Sequence, residues 1–496
     1  MSAMAPPVRP PRRTLLGALV ALTLAAPVAL LPGGTAWAHE TAAADDELKV
    51  MVVGDSMSQG HEGDYTWRYR LWQWFHEQHV AVDFVGPYTG TTPPDAPAAP
   101  QPPRLQDEPE PAPAPPRTNG GYAKDVDEAF DSDHFAVWGR QAAQDKALIK
   151  AQVEKYQPDL LLVGLAFNDM GWFVSDAQGT LDSMKTLVDE ARAAKPDLKF
   201  ALANVPQRAK LEGRDDLIAN TDTYNRLLAE AIPAWHTATS PVKLVDWRGD
   251  YDCAPDSCPA GYDGLHPNAL GEYQIAHAFE ETLHTEYHLG TDVPDAPGTA
   301  APRPTSTPAG VKATSAGSGI VVTWDPVYGA FGYDVRARLV GAADWGGEHH
   351  VTANRYDTTW TTEGQSYEYQ IRTDSGGTVK SDWSDVVSAT AHPKTAPGPA
   401  DIVTRPTATG VDVSWNPPTG PYTDTIDRYE VLTFDLDTPG AFPGSVGTRN
   451  TSLHVDGLTP GHRYAVSVAT WNAAGGGIPA GGPEVVIGAA TASAGS

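Results

Sequence analysis

The chain has 496 residues, 41% hydrophobic and 9% aromatic, enough apolar material for true cores and, at roughly 150 residues per domain, for about three domains. Sixty-two acidic against 35 basic side chains leave a formal charge of −27. Such a surface repels polyanions, which excludes nucleic acid as a main partner and disfavours an anionic membrane.

The N-terminus reads as an export signal. Arg9, Arg12 and Arg13 precede an apolar run over 15–31, and Ala36-Trp37-Ala38 supplies an A-x-A cleavage site. Pro27 and Pro32 count against a membrane anchor instead. Residues 1–38 are expected to be a signal peptide cleaved near Ala38, of the Sec type or, since Arg12-Arg13-Thr14-Leu15-Leu16 resembles it, of the twin-arginine type. Its removal leaves 458 residues at −30. No later stretch has the 18 apolar residues of a membrane span, so a secreted, extracellular monomer is expected.

From residue 46 to 289, short apolar runs alternate with helical patterns. Residues 48–53, 82–85, 160–165, 200–205 and 242–245 read as buried parallel strands. Residues 65–79, 142–156 and 181–194 read as helices between them. Alternating β and α elements imply a parallel sheet covered on both faces, with ligands at the carboxyl edge. Residues 93–117 hold 11 prolines in 25 positions and read as an extended or disordered insertion. Residues 290–308, with five prolines, read as an interdomain linker.

Beyond 309 the pattern changes to short strands and turns, and it repeats. Val321-Val322-Thr323-Trp324 is echoed by Val413-Ser414-Trp415, Tyr333 by Tyr429, and Gly364-Gln365-Ser366-Tyr367 by Gly461-His462-Arg463-Tyr464. Two β-sandwiches over 309–393 and 398–491 fit this spacing. The pattern resembles fibronectin type III, immunoglobulin-like all-β modules, in which the tryptophan fills the core and the G-x-x-Y tyrosine makes a corner. The resemblance implies that Ser381-Asp382-Trp383-Ser384 lies in the last strand of the first copy.

The chemistry gathers at two places. Gly54-Asp55-Ser56-Met57-Ser58 follows the first strand, so Ser56 falls at the sheet's carboxyl edge with its amide free to face an oxyanion. Far downstream, Asp263-Gly264-Leu265-His266 places a carboxylate one turn before an imidazole, able to fix its tautomer. Each motif alone also reads as an ordinary helix cap. Together they complete a Ser-His-Asp set, and Gly139 and Asn168 fall where oxyanion donors are needed. At this point residues 46–289 resemble the SGNH (GDSL-type) hydrolases, a three-layer, flavodoxin-like α/β fold. The resemblance implies Ser56 as nucleophile, His266 as base and Asp263 as its orienter, with Ser56, Gly139 and Asn168 as oxyanion hole. Met57 and Ala166 depart from the family's usual residues.

Arg70-Leu71 and Val82-Asp83-Phe84-Val85-Gly86 resemble the carbohydrate-esterase branch, which implies O-acetyl groups of polysaccharides such as xylan as substrate. The bland alternative packs Arg70 and Leu71 on the sheet. Asp55 and Trp172 are candidate cleft residues, and Trp172 with Phe173 reads equally as a sugar platform or as wall packing. Cys253 and Cys258 are expected to pair. No cofactor and no metal is expected, His349-His350 reading as a solvated turn. The competing functions are a lipase or phospholipase and a non-catalytic adhesion protein; the sandwiches read as spacers or as weak polysaccharide or cell-surface binders.

Overall fold

The computed structural model describes residues 47–488 except 110 and 113. The expected signal peptide lies outside the described residues. Strands β1 (Leu48–Gly54), β2 (Val82–Phe84), β3 (Phe135–Ala136), β4 (Leu160–Gly164), β5 (Lys199–Ala203) and β6 (Val242–Val245) form one parallel sheet. Its order is β2-β1-β4-β5-β6, with β3 pairing β1 beyond the end of β2. β1 and β4 are buried almost throughout, as strands covered on both faces must be.

The helices are α1 (Ser56–Gln59), α2 (Trp67–Glu77), α3 (Ala142–Asp145), α4 (Ile149–Tyr156), α5 (Phe167–Gly171), α6 (Ala177–Ala194), α7 (Asp215–Trp235), α8 (Trp247–Asp250) and α9 (Ala269–Tyr287). The single helix expected over 142–156 is two, because Ala147 and Leu148 donate to the carbonyls three residues back and tighten the winding between α3 and α4. Trp67 stacks on Phe279 at 4.6 Å and so fastens α2 to α9.

Two β-sandwiches follow. In the first, β7 (Lys312–Ala316), β8 (Gly319–Thr323) and β11 (Arg355–Thr359) face β9 (Gly332–Leu339), β10 (Glu348–Val351), β12 (Ser366–Asp374) and β13 (Val387–Thr390). The second repeats this plan, with Ala400–Pro406, Val411–Asn416 and Ser452–Val455 in one sheet and a second sheet built on Arg428–Asp435 and Arg463–Asn472. The repeat is visible in the cores. Trp324 meets Tyr333 edge-on at 5.1 Å, and Trp415 meets Tyr429 at 5.3 Å. The corner tyrosines differ: Tyr464 accepts from the Thr459 amide, whereas the Tyr367 hydroxyl donates to the Gln365 side chain.

Two further expectations are corrected. Ser381–Ser384 lies before the last strand rather than in it; Trp383 is held there by Arg336 and Arg372, stacked at 4.2 and 4.5 Å. His349 and His350 lie in β10, not in a turn, because both pair in register with β9.

The proline-rich stretches are extended but fixed. Leu105, 3% exposed, bridges to Gly447 of the second sandwich, and Asp95 bridges to Ala353 of the first. In the linker, Arg303 pairs with Asp64 and donates to the Glu62 and Gly329 carbonyls. Proline removes ladder donors without preventing backbone carbonyls from accepting, which is how Pro103 accepts from Arg428 at 2.9 Å.

Candidate active site

β1 ends at Gly54, where a side chain would collide with Ser58, and the chain turns at once into α1. Asp55 caps that turn by accepting from the Met57 amide at 3.0 Å. Ser56 therefore stands at the carboxyl end of β1. α1 is only one turn, so its dipole is small, and the site draws on individual N–H groups.

On the facing side, the loop before α9 carries Asp263 and His266. Asp263 Oδ1 accepts from the Leu265 and His266 amides at 3.0 and 2.8 Å, fixing the carboxylate. His266 Nδ1–H donates to Asp263 Oδ2 at 2.7 Å, and Ser56 Oγ–H donates to His266 Nε2 at 2.9 Å. Burial acts to raise the Asp263 pKa, but the His266 charge and hydrogen bonds from His266 and Leu265 outweigh it and hold it at about 2. The carboxylate stays ionised at neutral pH and keeps the imidazole in the tautomer whose Nε2 can take a proton. Cys253 and Cys258 form a disulfide in the same loop, and Cys253 lies 3.4 Å from the Gly264 carbonyl.

The candidate oxyanion donors Gly139 and Asn168 follow two further strand ends. Gly139 has φ +78°, and a side chain there would strike the Trp172 indole. Gln59 positions this loop by accepting from the Trp138 amide at 2.6 Å. Among the described residues the Ser56 and Gly139 amides donate no hydrogen bond, so both remain available. Asn168, 5% exposed, opens from α5 and donates to the Arg140 carbonyl at 3.0 Å and to Asp55 at 3.4 Å. Its neighbour Asp169 accepts from the Ala142 and Ala143 amides, tying the Asn168 turn to the Gly139 loop. Ala166 precedes α5 with φ +101°, a conformation that glycine takes more readily.

The sequence-derived cleft residues separate. Asp55 is 3% exposed and lies beneath Ser56, its pKa pushed by burial to about 7 against the hydrogen bond from Met57. Trp172 is 49% exposed over Gly139. Arg70 stays structural: its guanidinium packs on Tyr65 at 4.0 Å and Tyr273 at 4.2 Å, and Leu71 is fully buried. Sequence reasoning missed the two rings that hold His266. Trp138 stacks on it at 4.6 Å and Tyr262 at 5.7 Å, both nearly parallel to the imidazole. Both lie within or beside the motifs, which is the only signal they gave.

Beside this constellation opens a cleft of about 560 Å³, within the roughly 300–1,000 Å³ of small-molecule sites. Trp138, Tyr262 and Asp263 line it, with His61 and Arg117. Asp334, His350 and Asp374 bring ligand-type atoms within 4.8 Å of one another at its far side. Asp334 is already neutralised by Lys380 at 2.6 Å and Arg372 at 2.9 Å, which leaves little charge to attract a cation. Among the described residues no helix is long and apolar enough to cross a membrane.

The GDSL-like lipase/acylhydrolase family model matches residues 52–273, and the fibronectin type III domain model matches residues 395–486. No curated protein matches the chain. Similar solved structures include an acetyl esterase mutant with an acetate ion, 22% identical, covering 48% of this chain and 96% of its own at a TM-score of 0.35. A carbohydrate esterase family 3 from Talaromyces cellulolyticus is 24% identical over 48% of this chain and 96% of its own, TM-score 0.33. A Clostridium thermocellum family 3 carbohydrate esterase is 18% identical over 49% of this chain and 100% of its own, TM-score 0.34.

Proposed function

From a chain that carries a GDSL-type carboxylic ester hydrolase domain and a C-terminal fibronectin type III domain, we propose a secreted serine esterase that removes small acyl groups from polysaccharide, acetylated xylan being the first candidate. The observation that carries the reaction is the hydrogen-bonded series Asp263–His266–Ser56, at 2.7 and 2.9 Å. His266 takes the Ser56 proton as Oγ attacks the ester carbonyl. The tetrahedral oxyanion is met by the Ser56 and Gly139 amides and the Asn168 side chain. His266 returns the proton to the leaving alcohol, and water then repeats the sequence on the acyl-enzyme.

The substrate class rests on the cleft. Its walls combine aromatic faces, Trp138 and Tyr262, with charged side chains that already stand in ion pairs. A sugar presents both an apolar face and hydroxyls able to donate and accept. A long acyl chain would desolvate these charges without replacing their hydrogen bonds. The test is acetate release from acetylated xylan against turnover of C10–C16 esters. Preference for the long esters overturns the carbohydrate reading, and p-nitrophenyl acetate activity surviving in Ser56→Ala overturns the nucleophile.

The disulfide and the lack of a membrane-spanning helix among the described residues fit an extracellular protein. Export through the 1–38 leader predicts a secreted form beginning near His39, which N-terminal sequencing reads directly.

A further inference from the structure

The far wall of the cleft belongs to the first sandwich. Asp334, His350, Thr352 and Lys380 lie on β9, β10 and the strand edges beside them, yet face the same space as Trp138 and Asp263. This wall is fixed rather than hinged. The Gly377 amide donates to the Tyr262 carbonyl at 2.8 Å, and Phe331 lies against the Tyr262 ring. Thr352 donates to Asp95 at 2.6 Å, and Asp95 pairs with Arg117, so the proline-rich stretch closes a third side. A spacer needs none of these contacts, and a spacer's surface would not wall a cleft that Trp138 and Asp263 also line.

Resting on the polysaccharide-esterase reading above, we propose that the first sandwich is part of the substrate site. It binds the neutral sugar chain that carries the ester, with His350 and Lys380 as hydrogen-bonding contacts to sugar hydroxyls. His350 has 49% of its side chain exposed and lies 3.5 Å from both Asp334 and Asp374, which orient its ring. Lys380 spans Asp334 at 2.6 Å and Asp374 at 3.4 Å, so its ammonium is held in place before a ligand arrives. Preorganised donors lose less entropy on binding. Asp95, Asp334 and Asp374 on the same cleft disfavour an anionic ligand, and their pairing with Arg117, Lys380 and Arg372 disfavours a cationic one. Uncharged hydroxyls suit such a surface.

The test compares full-length protein with His350→Ala and Lys380→Met, using acetylated xylohexaose and p-nitrophenyl acetate. The expected result is a fall of at least tenfold in the ratio of kcat/KM for the oligosaccharide to kcat/KM for the small ester, carried by KM. Isothermal titration of deacetylated xylohexaose into Ser56→Ala, with and without the same substitutions, should show a matching loss of affinity. Wild-type turnover of the oligosaccharide with that ratio unchanged within twofold in both variants, at unaltered melting temperature, overturns this inference and leaves the esterase reading standing. If either variant melts early, the titration with the other decides, and unchanged affinity there overturns the inference. Wild type that cleaves p-nitrophenyl acetate but releases no acetate from the oligosaccharide overturns the substrate reading, and this inference with it.

Discussion

Phe331 of the first sandwich lies flat on Tyr262 of the loop that carries Asp263 and His266, ring centroids 3.5 Å apart and planes 9° from parallel. Arg303 covers the other face of Phe331 at 3.7 Å. Tyr262 in turn stacks toward His266 and is the residue before Asp263, so the sandwich bears on the position of His266. Aromatic pairs contribute about 0.5–1.5 kcal/mol beyond burial, enough to select one loop conformation. Phe331→Ala should lower kcat for p-nitrophenyl acetate about tenfold with little change in KM, and Phe331→Tyr should restore it. Equal kcat in Phe331→Ala and wild type would show that the stack does not position His266.

Asn168 tests the oxyanion arrangement. Its amide is held by the Arg140 carbonyl, and its neighbour Asp169 braces α3, so truncation removes a donor from a supported turn. Asn168→Ala should cut kcat by on the order of 10²–10³. A loss below tenfold, with circular dichroism unchanged, removes Asn168 from the hole.

What the sequence disclosed and what it hid divide along one physical line. The meeting of Ser56, Asp263 and His266 as a candidate set was legible because strand-turn-helix geometry and a three-residue spacing are local, and the parallel strands because burial on both faces writes continuous apolar runs. Arg303 and Leu105 were not, because their partners Asp64 and Gly447 lie hundreds of residues away. Over 93–117 the described residues carry isolated bridges at Asp95 and Leu105 and no strand, and composition carries no information on whether such an extended segment docks. His350 was misplaced for the same reason. A histidine pair between polar residues looks like a turn until its register against β9 is known.

Glu280 on α9 should govern part of the alkaline stability. Burial raises its pKa to about 8, with Glu77 adding to the shift and His277 opposing it. The ordinary value is 4.5, so between pH 4.5 and 8 the folded state holds a proton that the unfolded state has lost. Stability from this group is therefore full below pH 4.5 and declines as pH rises toward 8. Glu280→Gln removes the decline. At pH 8.5 the variant should gain on the order of 2 kcal/mol, a few degrees in melting temperature, and at pH 4 it should gain nothing. Parallel melting-temperature profiles for the two proteins would rule out the buried, protonated carboxyl.

Leu105 is the anchor of the proline-rich stretch on the second sandwich. It is 3% exposed, its neighbours Arg104 and Gln106 exchange backbone hydrogen bonds with Gly447, and the Gln106 side chain donates to the His454 carbonyl at 2.7 Å. Burying a leucine side chain is worth about 1.5–3 kcal/mol, so Leu105→Asp should shift the docked segment toward an open state by at least tenfold. Proteolysis that is slow relative to reclosing follows the open population. Trypsin cleavage at Arg104 and Arg117 should accelerate by the same factor, while the main unfolding transition moves little. Because Asp95 and Arg117 at the ends of this stretch also border the cleft, the variant should lose oligosaccharide turnover along with protection. Unchanged cleavage rates would mean that the remaining backbone hydrogen bonds hold the segment without Leu105.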